Sequence, residues 1–340
     1  MLVRARAVGD WWSLAAAGLS LLAIASLVAV PGLLGRPFTR AVSTLSGADP
    51  LWLWAAGGSF ALALVCSACA WRSALSLCGG RIGRLEAGAR YGVGSLVNSL
   101  LPGYAGGAVR VALFSRGLAG SERLWVASGI PAVIGAARAF LLAVLVLVAA
   151  GSGVLPAWTA LPLAGVGCAA VAVCAWAGRR KPGAHRLARV FDVFRAVGRS
   201  PSAAVPLVGW LICSVGARVV AVAAVATALG VRAPIAAALV IVPALAVAAF
   251  APLTPAGIGV TSGAVALVLH ARGADVTTAL AAGIALNAVE TAVGLTLGIA
   301  SGLLLAFPSP AARRWTLTSG AACACFAAVV LGVGGFADLA

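Results

Sequence analysis

Charge is what this sequence lacks. Only 9% of its 340 residues are Asp, Glu, Lys or Arg, against about a quarter in a soluble domain. Too little polar surface exists to cover a water-soluble globule. Acidic residues number eight, and Lys181 is the only lysine. So few carboxylates leave little material for paired acid–base catalysis. No Ser-His-Asp set and no phosphate-loop motif stands out. His185 and His270 are far apart and have no metal-ligand company, so the sequence is read as non-enzymatic, with no metal and no cofactor. Cysteines number eight (Cys66, Cys69, Cys78, Cys168, Cys174, Cys213, Cys323, Cys325) and nearly all fall inside apolar runs. The Cys66–Cys69 spacing has no second pair, so these residues read as small apolar packing groups rather than redox or metal ligands. A disulfide scaffold is not expected.

What the chain has in excess is apolar length. Hydrophobic residues make up 62% of it, and mean hydropathy is +1.09. A bilayer span needs about 20 apolar residues. Runs of that kind cover Trp11–Val30, Leu51–Leu77, Leu124–Ala150, Trp158–Trp176, Val205–Leu229, Val276–Leu305 and Leu317–Phe336. Tryptophans crowd several of their ends, where indole rings favour the headgroup level. The first run follows Arg4 and Arg6 but is longer than a signal-peptide core, so it is read as a membrane helix.

The net charge of +16 sits in short loops between apolar runs. That placement excludes a nucleic-acid surface and fits the positive-inside rule and anionic lipid headgroups.

Two regions break the pattern. Tyr91–Ser115 is interrupted at Leu101-Pro102-Gly103-Tyr104, and Pro234–His270 at Pro252-Leu253-Thr254-Pro255. Proline removes a backbone donor and glycine loosens the chain, so helices stop there. Irregular backbone at membrane depth survives only where protein buries it or where it lines a wet cavity. Both regions therefore read as re-entrant or broken helical hairpins.

Taking both as hairpins, with the N-terminus cytoplasmic, puts the basic loops around Arg81, Arg84, Arg90, Arg116, Arg123 and Arg179–Arg199 on the cytoplasmic side of the cell membrane. The expected fold is an all-α polytopic membrane bundle, one domain over 1–340. Residues 51–150 form a helix–hairpin–helix repeat. A basic cytoplasmic linker over 178–204 joins it to an inverted second repeat over 205–305, and a final helix covers 317–336. Leu187, Val190, Phe191, Phe194 and Val197 give the linker an amphipathic face suited to anionic lipid, though topology control alone explains its charge equally well.

Arg138, Arg218 and Glu290 lie mid-span, where a charge is expensive and marks a partner or a polar path. Arg138 and Glu290 fall at matching depths in the two repeats, which suits them to pair. The alternatives are phosphate contacts by the arginines, a proton carried by Glu290, or a purely structural ion pair. Asn98 and Asn287 occupy similar places in the two halves, as interhelical glue or as part of the path.

The broken segments also carry a resemblance. Asn98-Ser-Leu-Leu-Pro102-Gly-Tyr-Ala-Gly106-Gly107-Ala-Val-Arg110 resembles the first signature of the lysylphosphatidylglycerol synthase transmembrane family of flippase-like integral membrane proteins. Thr254-Pro255-Ala256-Gly257-Ile258-Gly259-Val260 is similar to its second. Together they match in order and separation over roughly residues 10–305. Ala108 and Ser262 stand where the family has acidic residues, Ala256 where it has glycine, and Ala137 where an acid often precedes the arginine. No soluble aminoacyl-transfer domain is expected after Phe307.

The resemblance implies a lipid translocator whose substrate residues include Asn98, Pro102, Gly106, Gly107, Arg110, Pro255, Gly257 and Gly259, joined by Arg138, Arg218 and Glu290. Gly106, Gly107 and Arg110 would hold a lipid phosphate at a helix N-terminus, unless Arg110 is an interfacial anchor. The expected partner is a membrane phospholipid or a polyprenyl-linked lipid. An accessory subunit or a membrane enzyme of lipid-linked glycan synthesis is the alternative.

Overall fold

The computed structural model describes residues 47–100, 105–120, 122–151, 161–179, 189–248 and 260–306. The expected spans Trp11–Val30 and Leu317–Phe336 lie outside them, as do Pro102, Pro255, Gly257 and Gly259. Among the described residues all regular structure is helical: α1 (Pro50–Leu77), α2 (Arg84–Leu100), α3 (Ala105–Ser115), α4 (Arg123–Gly151), α5 (Leu161–Arg179), α6 (Asp192–Arg199), α7 (Pro201–Ala228), α8 (Pro234–Ala248), α9 (Val260–Ala271) and α10 (Val276–Ala306).

Local chemistry sets several boundaries. Asp49 caps α1 by accepting the Leu51 N–H at 2.9 Å, with Pro50 in the first turn. Asp275 caps α10 the same way through Thr277 N–H at 3.0 Å. Helix α7 starts at Pro201 rather than Val205 and runs through Pro206. Proline needs no N–H in a first turn, so the linker ends earlier than the hydropathy suggests. Part of the linker is α6, which buries Val193 and Phe194, while Phe191 just ahead of it is exposed.

Four of these helices, α1, α4, α7 and α10, are long and apolar enough to cross a bilayer. By contrast α3 has 11 residues, α8 has 15 and α9 has 12. At ~1.5 Å per residue none of these three reaches across ~30 Å of hydrocarbon.

The short helices fold back in pairs. Arg90 Nη1 donates to Leu113 O at 2.8 Å and Arg81 N–H to Gly117 O at 3.3 Å, so the outer ends of α2 and α3 meet. Arg272 Nη1 donates to Ala236 O at 3.1 Å, which brings the outer ends of α8 and α9 together. These two meeting points lie at opposite ends of the bundle. The first is beside the C-terminal end of α1, packed with Leu75, Ile82 and Leu118. The second is beside the C-terminal end of α7, packed with Leu229, Val231 and Ala274. At that same end Asp49 N–H reaches Ala228 O at 3.2 Å, so α1 and α7 run antiparallel.

The packing has a twofold order. Among the described helices, α1 and α7 make the most extensive contact. Around them α2 packs on α10 as α8 packs on α4, and α3 on α4 as α9 on α10.

Small residues permit the close crossings. A Cβ on Gly283 would run into the backbone of Ser262, and one on Gly298 into Leu96 and the Gly92 carbonyl. The six described cysteines are free thiols, and burial pushes the Cys78 thiol up to about 12.

Gly283→Val is expected to cost about 1–3 kcal/mol by overpacking α9 against α10. Gly58→Ala, which meets nothing within 4 Å, gains a few tenths or more from helix propensity, about 0.5–1 kcal/mol. Thermal unfolding in detergent separates the two. The Thr277 N–H also holds the Asp275 carboxyl below the usual carboxylate range. A depressed folded pKa contributes stability above the unfolded value of about 3.9 and loses it as pH falls through the folded one. Asp275→Ala therefore lowers the melting temperature at pH 7, and the deficit closes below about pH 4.

Candidate functional site

The three expected arginines converge from three helices. Arg110 on α3 and Arg218 on α7 lie close enough to Arg138 on α4 that it feels both their charges and that of Glu290 on α10. Each has a buried Nε with no hydrogen-bond partner, and Arg195 supplies the one other such atom among the described residues. A buried donor without an acceptor is costly, so three in one cluster mark a place built for an acceptor.

Each guanidinium is held differently. Arg218 Nη1 donates to Glu290 Oε1 at 2.9 Å, and the two side chains are 28% and 41% exposed. That exposure leaves the carboxylate approachable and weakens the pair relative to a fully buried one. Arg138 Nη2 donates weakly to Ser67 Oγ at 3.4 Å. The Arg110 guanidinium sits over the Tyr91 ring, 4.2 Å from its centroid, in a cation–π contact.

Beneath them lies the α1–α7 crossing. Ser67 Oγ and Ser214 Oγ are 2.8 Å apart, and both reach Ala63 O, at 2.8 and 3.0 Å. A hydroxyl has one proton. The arrangement that satisfies every atom has Ser67 donating to Ala63 O while accepting from Arg138 and Ser214. Ser67 on α1 thus steadies Arg138 at the centre of the bundle, with Ser214 on α7 bonded behind it.

Tyr91 is buried between Trp71 and the Arg110 guanidinium, and it interacts with the Ser67 hydroxyl. Gly94 makes the Arg110 position possible. A Cβ there would occupy the place of Arg110 Cγ. On the facing arm, Gly106 fits against Gly94 O and Asn98, so its bare face serves hairpin closure, while a Cβ on Gly107 would meet open space.

The expected residues thus divide. Arg110, Arg138, Arg218 and Glu290 come together. Asn98 and Gly106 lie where the two hairpin arms touch, with Asn98 exposed, and Gly107 follows Gly106 in the first turns of α3. Pro102, Pro255, Gly257 and Gly259 fall outside the described residues. The Arg138–Glu290 pairing does not form as a salt bridge, because Glu290 takes Arg218 instead. Depth along a helix matched the first pair, but azimuth selects the second. Asn287 accepts from Thr291 Oγ1 on its own helix at 3.3 Å rather than bridging two helices.

Four contributors escaped the sequence reading: Tyr91, Ser67, Ser214 and Gly94. Three had a signal available. The dipeptide Cys-Ser recurs at 66–67 in α1 and at 213–214 in α7, and Tyr91 is one of only two tyrosines in the chain.

Gly94→Ala is expected to push Arg110 off the Tyr91 ring while costing little stability, since the obstructing atoms belong to a flexible side chain. Anionic-lipid binding should fall with the melting temperature nearly unchanged. An equal fall in both would show that Gly94 serves packing alone.

No curated protein matches the chain significantly. The family model described as the lysylphosphatidylglycerol synthase TM region matches residues 11–298. That match covers α1 to α9 entire and most of α10, so every residue of the arginine cluster lies within it. The chain is an integral membrane protein and belongs to the lysylphosphatidylglycerol synthase TM region family.

Proposed function

We propose that this protein translocates a lipid with an anionic phosphate headgroup across the cell membrane. One observation carries the reading: three guanidinium groups from three helices gather at the centre of an apolar bundle, and only one of them, Arg218, pairs with a carboxylate, Glu290. Such an arrangement suits an anion that has left water.

In this reading the α2–α3 and α8–α9 hairpins are re-entrant, dipping in from opposite leaflets as inverted repeats. The headgroup passes between them while the acyl chains stay in lipid. The end carrying Arg81, Arg84, Arg116, Arg123 and α6 faces the cytoplasm by the positive-inside rule, which places the N-terminus there too and lets the linker rest on anionic headgroups. No covalent step is required, so the protein acts as a transporter rather than an enzyme. The driving force is a lipid or ion gradient or the membrane potential.

A second reading, a non-transporting accessory subunit, draws on Ser262. Its hydroxyl donates to Gly283 O at 3.1 Å and is buried. A position that holds an acid elsewhere in the family is therefore spent here on helix packing.

Proteoliposomes with a fluorescent phosphatidylglycerol and a membrane-impermeant quencher distinguish the two. Translocation predicts quenching beyond the outer-leaflet fraction, and a rate at least ~10-fold lower in Arg138→Ala and Arg110→Ala, the equivalent of about 1.4 kcal/mol for a lost charged contact. Quenching confined to the outer leaflet in wild type supports the accessory role.

A further inference from the structure

Resting on the anion-site reading above, we infer that the arginine cluster is matched to a phosphate bearing two negative charges, and that Glu290 is an internal occupant which this phosphate displaces from Arg218. The charge count leads there first. Arg110, Arg138 and Arg218 supply three positive charges and Glu290 one negative, leaving two uncompensated. No other described carboxylate can make up the difference. Asp49 and Asp275 cap helices at one end of the bundle. Glu86 pairs with Arg90, Asp192 pairs with Arg189 and Arg195, and Glu122 lies ahead of α4.

In a low-dielectric interior uncompensated charge is heavily penalised. Once Glu290 has turned out, a zwitterionic headgroup leaves three positive charges and a phosphodiester two, whereas a phosphomonoester leaves one, the smallest excess of the three. Hydrogen-bond demand points the same way: three Nε–H groups in the cluster have no partner, and a dianionic phosphate is the stronger acceptor.

Glu290 is suited to give way. Its carboxylate is 41% exposed and holds Arg218 through a single 2.9 Å contact, so a phosphate can take its place on the guanidinium while Glu290 turns to the wet side. The carboxylate then keeps Arg218 neutralised in the ligand-free protein and sets a threshold that weakly charged headgroups do not pass. A phosphate monoester is close to doubly charged above its second pKa of about 6.

The test uses the purified full chain in phosphatidylcholine nanodiscs at pH 8, doped with phosphatidic acid (monoester), phosphatidylglycerol (diester) or neither, with binding read by native mass spectrometry. Wild type is expected to bind phosphatidic acid at least ~10-fold more tightly than phosphatidylglycerol. Glu290→Gln, which removes the internal competitor, is expected to tighten both by about 5-fold or more. Equal affinity for the two lipids overturns the dianion assignment. Weaker binding by a folded Glu290→Gln overturns the displacement role. The wild-type ranking stands without that variant if Glu290→Gln fails to fold.

Inorganic phosphate separates the two sources of the same charge. Competition at concentrations equal to phosphatidic acid assigns the site to free phosphate and overturns a lipid ligand, whereas a large required excess supports the lipid. Binding of neither lipid, or binding insensitive to Arg138→Ala, sinks the anion-site reading itself. Equal but Arg138-dependent binding of both lipids sinks only the present inference.

Discussion

A guanidinium held among apolar helices must find acceptors, and that requirement organises the centre of this protein. A mid-membrane arginine costs about 2.5–3.5 kcal/mol even on the mildest scale. Three of them converge here, and the groups that receive them are few: one carboxylate, one serine hydroxyl and one tyrosine ring. Each of these acceptors comes from a different helix than its arginine. Helices α1, α2, α3, α4, α7 and α10 are therefore tied to one point, and the long apolar helices are oriented in azimuth as well as depth.

Packing supplies the room. The α1–α7 crossing carries Ala63, Ser67 and Ser214 at its centre, small enough to let two helices approach and polar enough to steady Arg138. Gly94 clears the volume that Arg110 fills, and Gly106 lets the facing hairpin arm close on it. Elsewhere Gly283 and Gly298 bring α10 against α9 and α2. Stability and site geometry thus rest on the same device, close backbone approach at small residues, because lipid offers no hydrophobic drive between helices.

Much of the fold was legible in the sequence, because spanning length and Pro/Gly interruption are properties of the chain alone. The boundaries of α1 and α10 fall within a residue of the apolar runs, and α2 ends before, and α3 begins after, the expected interruption at residues 101–104, as α8 and α9 do around 252–255. The charged members of the site were legible too, since Arg138, Arg218 and Glu290 contrast with everything around them. Their pairing was not. Two residues at equal depth face each other only if rotation about the helix axes agrees, and rotation is set by tertiary packing. Tyr91, Ser67 and Ser214 were missed for a related reason. A tyrosine or serine in an apolar helix costs little and bonds locally, so its role emerges only when an arginine from another helix arrives.

The central claim is that the three guanidinium groups face one anion within the bundle rather than the acyl chains around it. An electron cryo-microscopy map of the protein in nanodiscs doped with phosphatidic acid tests this most directly. The account predicts phosphate density bounded by Arg110, Arg138 and Arg218, with lipid tails leaving between the hairpins. Acyl-chain density against those guanidinium groups, or side chains turned outward to the bilayer with no headgroup between them, would contradict it.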